Sequence, residues 1–82
     1  MDYLLTTHAE KRLAERSIQR KLLDEALREP TKISYDAANR ALIKKLYRKH
    51  RQERLLLIVG EIMGSTLKII TVIDTSKVKK YL

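Results

Sequence analysis

A chain of 82 residues with a net charge of +8 and no cysteine has room for one small domain over residues 1–82, and it leaves out disulfides, thiolate catalysis and Cys-ligated metal sites. Its only aromatic residues are four tyrosines, so the core has to be built mostly from Leu, Ile and Val. Histidine occurs twice, at His8 and His50, so no metal site or other cofactor is expected; without a signal-peptide pattern or a run of roughly 20 apolar residues, the chain reads as cytoplasmic.

The first element is a short helix over residues 7–16. Thr7 followed by Glu10 has the spacing of a capping box, Leu5 lies just outside it, and Ala9 and Leu13 supply an apolar side. His8, Arg12 and Arg16 recur every four residues and so share the other side, one imidazole and two guanidiniums in line. Such a row suits an anion; the alternative is a solvated outer face. A second helix starts at Ser17 as N-cap, carries Ile18, Leu22, Leu23, Ala26 and Leu27 as its core stripe, and ends before Pro30.

From Thr31 the pattern changes to the period of strands. Residues 31–36 form a short strand, Ala37-Ala38-Asn39 a turn, and residues 40–49 a long strand with Ala41, Ile43, Lys45 and Tyr47 on one side, although its Lys and Leu content makes a helix the rival reading. His50 to Glu53 reads as a polar turn. The unbroken run Leu55-Leu56-Leu57-Ile58-Val59 fits a central strand covered on both faces. Met63-Gly64-Ser65 turns the chain into a last strand over residues 67–74, and residues 75–82 form a basic tail. The expected architecture is α+β, two N-terminal helices packed on one face of a four-stranded antiparallel sheet. The apolar run then needs a cover on the second face, from another copy of the chain or a partner's helix.

Charge is unevenly placed. Residues 1–30 are neutral overall, residues 31–54 carry +6 and residues 55–82 carry +2. A basic surface of this kind suits a polyanion, nucleic acid first, and the alternative is charge that only keeps the domain soluble. The residues expected to bind nucleic acid are Arg12, Lys44, Lys45, Arg48, Lys49, Lys77 and Lys80.

Several short motifs together resemble one family. These are Thr7-His8-Ala9 with Arg12; Glu15-Arg16-Ser17-Ile18, where the family usually has Glu-Arg-Gly-Ile; the helix end at Ala26-Leu27 and Pro30; Arg40 opening a strand; the 55–59 strand; Ile69-Ile70-Thr71-Val72-Ile73 with Thr75-Ser76; and Lys80-Tyr81. The resemblance, over nearly the whole chain, is to the domain-of-unknown-function family DUF4258. That family is found beside toxin–antitoxin and polymorphic-toxin genes and is grouped with the Barnase–EndoU–colicin–RelE fold of metal-independent ribonucleases. It implies a RelE-like fold and RNA cleavage by attack of the 2′-OH on the adjacent phosphate, with an antitoxin-like protein as partner. In that chemistry His8 would act as base or acid, Arg16 and Arg40 would hold the phosphate with Arg12, Thr71 would donate to it, and Tyr81 would be an auxiliary acid. The alternative is a non-catalytic module on the same fold, one that binds RNA or DNA or one whose open sheet face binds a protein partner.

Overall fold

A parallel strand pair joins the two ends of the chain and sets the architecture. In the computed structural model, which describes residues 2–82, the chain runs β1 (Asp2–Leu5), α1 (Thr7–Glu15), α2 (Arg20–Arg28), β2 (Lys32–Tyr35), β3 (Arg40–Lys49), β4 (Gln52–Met63), β5 (Thr66–Thr75) and α3 (Val78–Tyr81). One sheet holds all five strands in the order β1-β5-β4-β3-β2. The last four form the expected antiparallel meander. The first was not expected: β1 pairs parallel with β5, Asp2 opposite Thr66 through Leu5 opposite Ile69. The class is α+β, with a mixed five-stranded sheet and three helices in place of a four-stranded antiparallel sheet and two.

That pairing also moves the helix start by one residue. Thr6 continues the extended backbone of β1, its N–H donating to Ile69 O at 3.1 Å. Its side chain, not that of Thr7, caps α1 by accepting from the Ala9 N–H at 3.1 Å. Glu10 therefore lies one position beyond the capping-box site.

Residue Ser17 closes α1 and does not open α2. With φ of 52° it is in the left-handed region. Its N–H donates to Ala14 O, and the N–H of Ile18 donates to Leu13 O. These are the two bonds of a Schellman motif, whose left-handed position favours glycine. The cap of α2 falls to Gln19, which makes no side-chain capping bond. Ser17→Gly is expected to stabilise the fold by up to about 1 kcal/mol, because a residue with a Cβ pays a steric penalty there. Thermal unfolding would show it as a rise of a few degrees in Tm, and a lower Tm would refute it.

Two turns tighten the meander. His50 and Arg51, both at positive φ (52° and 66°), form a two-residue hairpin between Lys49 and Gln52. Because the turn is so short, β4 begins at Gln52 and runs to Met63, well beyond the expected 55–59. At the other end Gly64, with φ of 63°, makes the β4–β5 turn.

The core lies between the sheet and α1/α2. Leu23 and Ala26 of α2 and Ala9 and Leu13 of α1 pack on Ala41, Ile43, Leu56, Ile58, Leu67, Ile69 and Val72. Gly60 permits close packing there, since a Cβ at that position would lie 2.7 Å from Leu67 Cδ1. Leu55 and Leu57 are buried too, on the opposite face. The chain itself helps to cover them: α3 packs against β4, and Lys44 Nζ, from the strand position paired with Leu57, donates to Tyr81 O at 2.6 Å. Within the expected basic tail, residues 78–81 thus form a helical turn tied across the sheet. Leu4 and Ile73 remain substantially exposed. No helix is long and apolar enough to cross a membrane among the described residues.

Candidate functional site: a basic cleft at the hairpin end of the sheet

Three strands converge on a polar network at the end of the core. Tyr47 and Arg54 stand opposite one another on β3 and β4, while Asp74 on β5 is paired with Leu56, two residues further along β4. Strand alternation puts all three side chains on the face that carries the helices. The Tyr47 hydroxyl donates to Asp74 Oδ1 at 2.6 Å, and Arg54 Nε donates to the same carboxylate at 3.1 and 3.3 Å. This is the most sheltered of the ion pairs, with the Asp74 side chain only 12% exposed.

Above the network, the α1–α2 connection and the β3–β4 hairpin leave a cleft of about 310 Å³. Tyr47 and Asp74 form part of its lining, with Ile18 and Leu22 as apolar wall. Arg16, Lys21, Arg48 and Lys49 line it as well, facing one acidic residue from α2, Glu25. None of these four cations forms a salt bridge among the described residues, although the Arg48 guanidinium, one strand position away from Tyr47, donates to Arg51 O at 3.1 Å; Arg16, Lys21 and Lys49 are the ones left over. An uncompensated cluster of this kind attracts anions.

Burial, followed by the hydrogen bond to Asp74 and the charge of that carboxylate, pushes the Tyr47 hydroxyl up to about 12, against the opposing effect of Arg54. The Arg54 guanidinium is held above its ordinary value, chiefly by its hydrogen bond to Asp74. Tyr47 is an acid whose folded value lies above that of free tyrosine, near 10. Its neutral form therefore contributes stability that is whole below about pH 10 and is lost as pH rises toward 12. In a tyrosinate absorbance titration, Tyr47→Phe is expected to remove the step of highest pH. An unchanged high-pH step in the variant would refute the assignment.

The structure separates the residues singled out from the sequence. Arg16 is in the cleft. Back along α1, half-buried Arg12 and exposed His8 continue the row, with Arg12 Nε donating to His8 Nε2 at 3.5 Å; His8 is about 12 Å of helix rise from Arg16. Arg40 lies at the far end of β3, roughly 23 Å of strand from Tyr47, and pairs with Asp36 at 3.2 Å. Thr71 lies on the face opposite α1. The β4–β5 ladder slips between Val59 and Gly60, leaving Ile70 without a β4 partner, so Ile69 and Val72 both face the core and Thr71 does not share the side of Ile69. Tyr81 belongs to α3, on that same opposite face, and is 41% exposed. His8, Arg16, Arg40, Thr71 and Tyr81 therefore do not form one constellation.

The nucleic-acid set divides likewise. Arg48 and Lys49 line the cleft, Arg48 with its guanidinium donating to Arg51 O at 3.1 Å. Lys44 and Lys45 are engaged in the fold, Lys44 with Tyr81 O and Lys45 Nζ with Glu29 O at 2.7 Å. Lys77 precedes α3 as its cap residue, and Lys80 lies over the Tyr81 ring at 5.4 Å. Sequence reasoning missed Lys21, Arg54 and Asp74 and gave Tyr47 no site role. The one available signal was the two-residue hairpin, which sets Tyr47 opposite Arg54. Among the described residues no group of three or more His, Asp or Glu is placed to hold a metal ion.

Fold and cleft define a small α+β domain with a basic cleft at one end of its core. The family model of a domain of unknown function, DUF4258, matches residues 5–78, and the chain belongs to that family. Neither the curated proteins nor the solved structures return a match.

Proposed function

We propose that the chain is a toxin-like, metal-independent endoribonuclease of RelE-like fold, with RNA held along α1 and in the adjoining cleft. The observation that carries this is the continuity of the row His8–Arg12–Arg16 with the uncompensated cations of the cleft. Guanidinium forks suit phosphate oxygens and the developing charge of a phosphorane. In the reaction the 2′-OH loses its proton and bonds to the adjacent phosphorus, the P–O5′ bond breaks, and the 5′ oxygen takes up a proton. His8 serves as base or as acid in that exchange. An antitoxin-like partner or a second copy would dock on the sheet face where Leu4 and Ile73 remain exposed.

A second reading, a non-catalytic RNA- or DNA-binding module, is favoured by the distance of Arg40, Thr71 and Tyr81 from His8, which leaves that imidazole without a second proton-transfer group among the residues proposed. Purified protein incubated with labelled RNA in EDTA separates the two. The first expects products ending in a 2′,3′-cyclic phosphate, and the second expects binding without cleavage. Both expect affinity for single-stranded RNA to fall with salt at a log–log slope of roughly −3 to −4, for about 4–5 neutralised phosphates. A slope near zero would remove the ribonuclease reading and the RNA form of the second, leaving DNA as its only nucleic acid.

A further inference from the structure

The cleft is more than a patch of positive charge. Its wall is apolar at Ile18 and Leu22, and the Tyr47 ring is held in place through its hydroxyl by Asp74, which Arg54 fixes in turn. Cations lie around that wall, from the residue that caps α1, from α2 and from the β3 end. Its volume, about 310 Å³, is at the small end of the range for ligand clefts. Glu25 on the same lining disfavours a bare cluster of phosphates and can accept a hydrogen bond from an amino group. A ligand matching all of this has a flat, largely apolar body bearing hydrogen-bond donors, with an anionic group attached.

We propose that the cleft is a nucleotide subsite, in which a nucleobase packs on Ile18, Leu22 and Tyr47 while its phosphate is held by Arg16, Lys21 and Lys49. This deepens the RNA reading by giving one nucleotide of the strand a place, and it is testable without any cleavage. Stacking a base on an aromatic ring contributes about 1–3 kcal/mol, so a nucleotide binds on the order of tenfold or more tightly than the phosphate alone. Tyr47, Asp74 and Arg54 act here as a positioning group: the hydroxyl contact sets the ring, and the ring meets the base.

The test is an NMR titration of the full chain with adenosine 5′-monophosphate and, separately, with inorganic phosphate. The nucleotide is expected to shift the methyl signals of Ile18 and Leu22 and the ring signals of Tyr47, and to bind about tenfold or more tightly than phosphate. The double variant Lys21→Ala/Lys49→Ala, changed at exposed positions, keeps a folded amide spectrum and loses about tenfold or more in nucleotide affinity. Equal affinity for the two probes, or nucleotide binding that leaves Ile18, Leu22 and Tyr47 unmoved, overturns the proposal. Cleavage of RNA without nucleotide binding in the cleft removes this subsite and keeps the ribonuclease reading. Nucleotide binding here without cleavage of any RNA does the reverse.

Discussion

Replacing His8 with Ala is expected to lower the rate of RNA cleavage by about 10²–10⁴-fold, the usual worth of one general acid or base, while leaving the fold intact. His8 is exposed in the first turn of α1, and its side-chain hydrogen bond is the long contact to Arg12 Nε. The helix cap belongs to Thr6, so nothing structural leaves with the imidazole. The loss would therefore be chemical and not a consequence of unfolding. Arg16→Ala should lower both rate and RNA affinity, since a cation on the phosphate acts before and during the transition state. Arg40→Ala, at the opposite end of β3 and paired with Asp36, should change both far less. The measurement is wild type beside each variant on labelled RNA with EDTA present. Equal cleavage by wild type and the His8 variant would take His8 out of the mechanism, and activity lost on chelation would exclude the metal-free class.

The largest expected effect on stability is at Leu56. It is fully buried in β4, and its side chain lies in the core cluster that the helices share with the sheet. Leu56→Ala removes three carbons from a site bounded by the sheet on one side and helices on the other, where little can move in to refill it. A loss of about 2–5 kcal/mol is expected. Domains of this size have a total stability on the order of 5–15 kcal/mol, so the variant should be close to unfolding at 37 °C. Ile73→Ala, at a position 40% exposed on the other face, should cost under about 1 kcal/mol. Urea unfolding of the two variants checks this. A Leu56 variant losing under about 1 kcal/mol would mean that the helices do not close over β4 as described.

What was legible in the sequence was local. The period-two pattern of residues 40–49 gave β3 its observed bounds because alternate burial of Ala41 and Ile43 is written directly into neighbouring residues. Pro30 and Gly64 marked boundaries because their effect on the backbone acts at their own positions. The row His8, Arg12 and Arg16 followed from helix geometry alone. Ser17 was harder, since the same residue type serves at a helix start and is tolerated, at a steric cost, at a helix end. What decided was its position after the last turn of α1.

The remainder depended on pairings between distant parts of the chain. Four residues at the start become a strand only because the exposed edge of β5, more than sixty residues away, accepts them, and that pairing moves the cap from Thr7 to Thr6. A single bulge at Ile70 shifts the alternation of β5 and leaves Thr71 across the sheet from His8, because one extra residue reverses every side chain before or after it. The basic tail becomes α3 because buried Leu55 and Leu57 need a cover and two lysines, Lys32 and Lys44, donate to its terminal carbonyls. The sequence by itself determined the first two helices, the antiparallel meander, the excess of positive charge and the ridge on α1. Only the tertiary structure decided which cations are engaged in the fold and which line the cleft, since Tyr47, Arg54 and Asp74 come from three strands and meet only when the sheet has assembled beneath the α1–α2 turn.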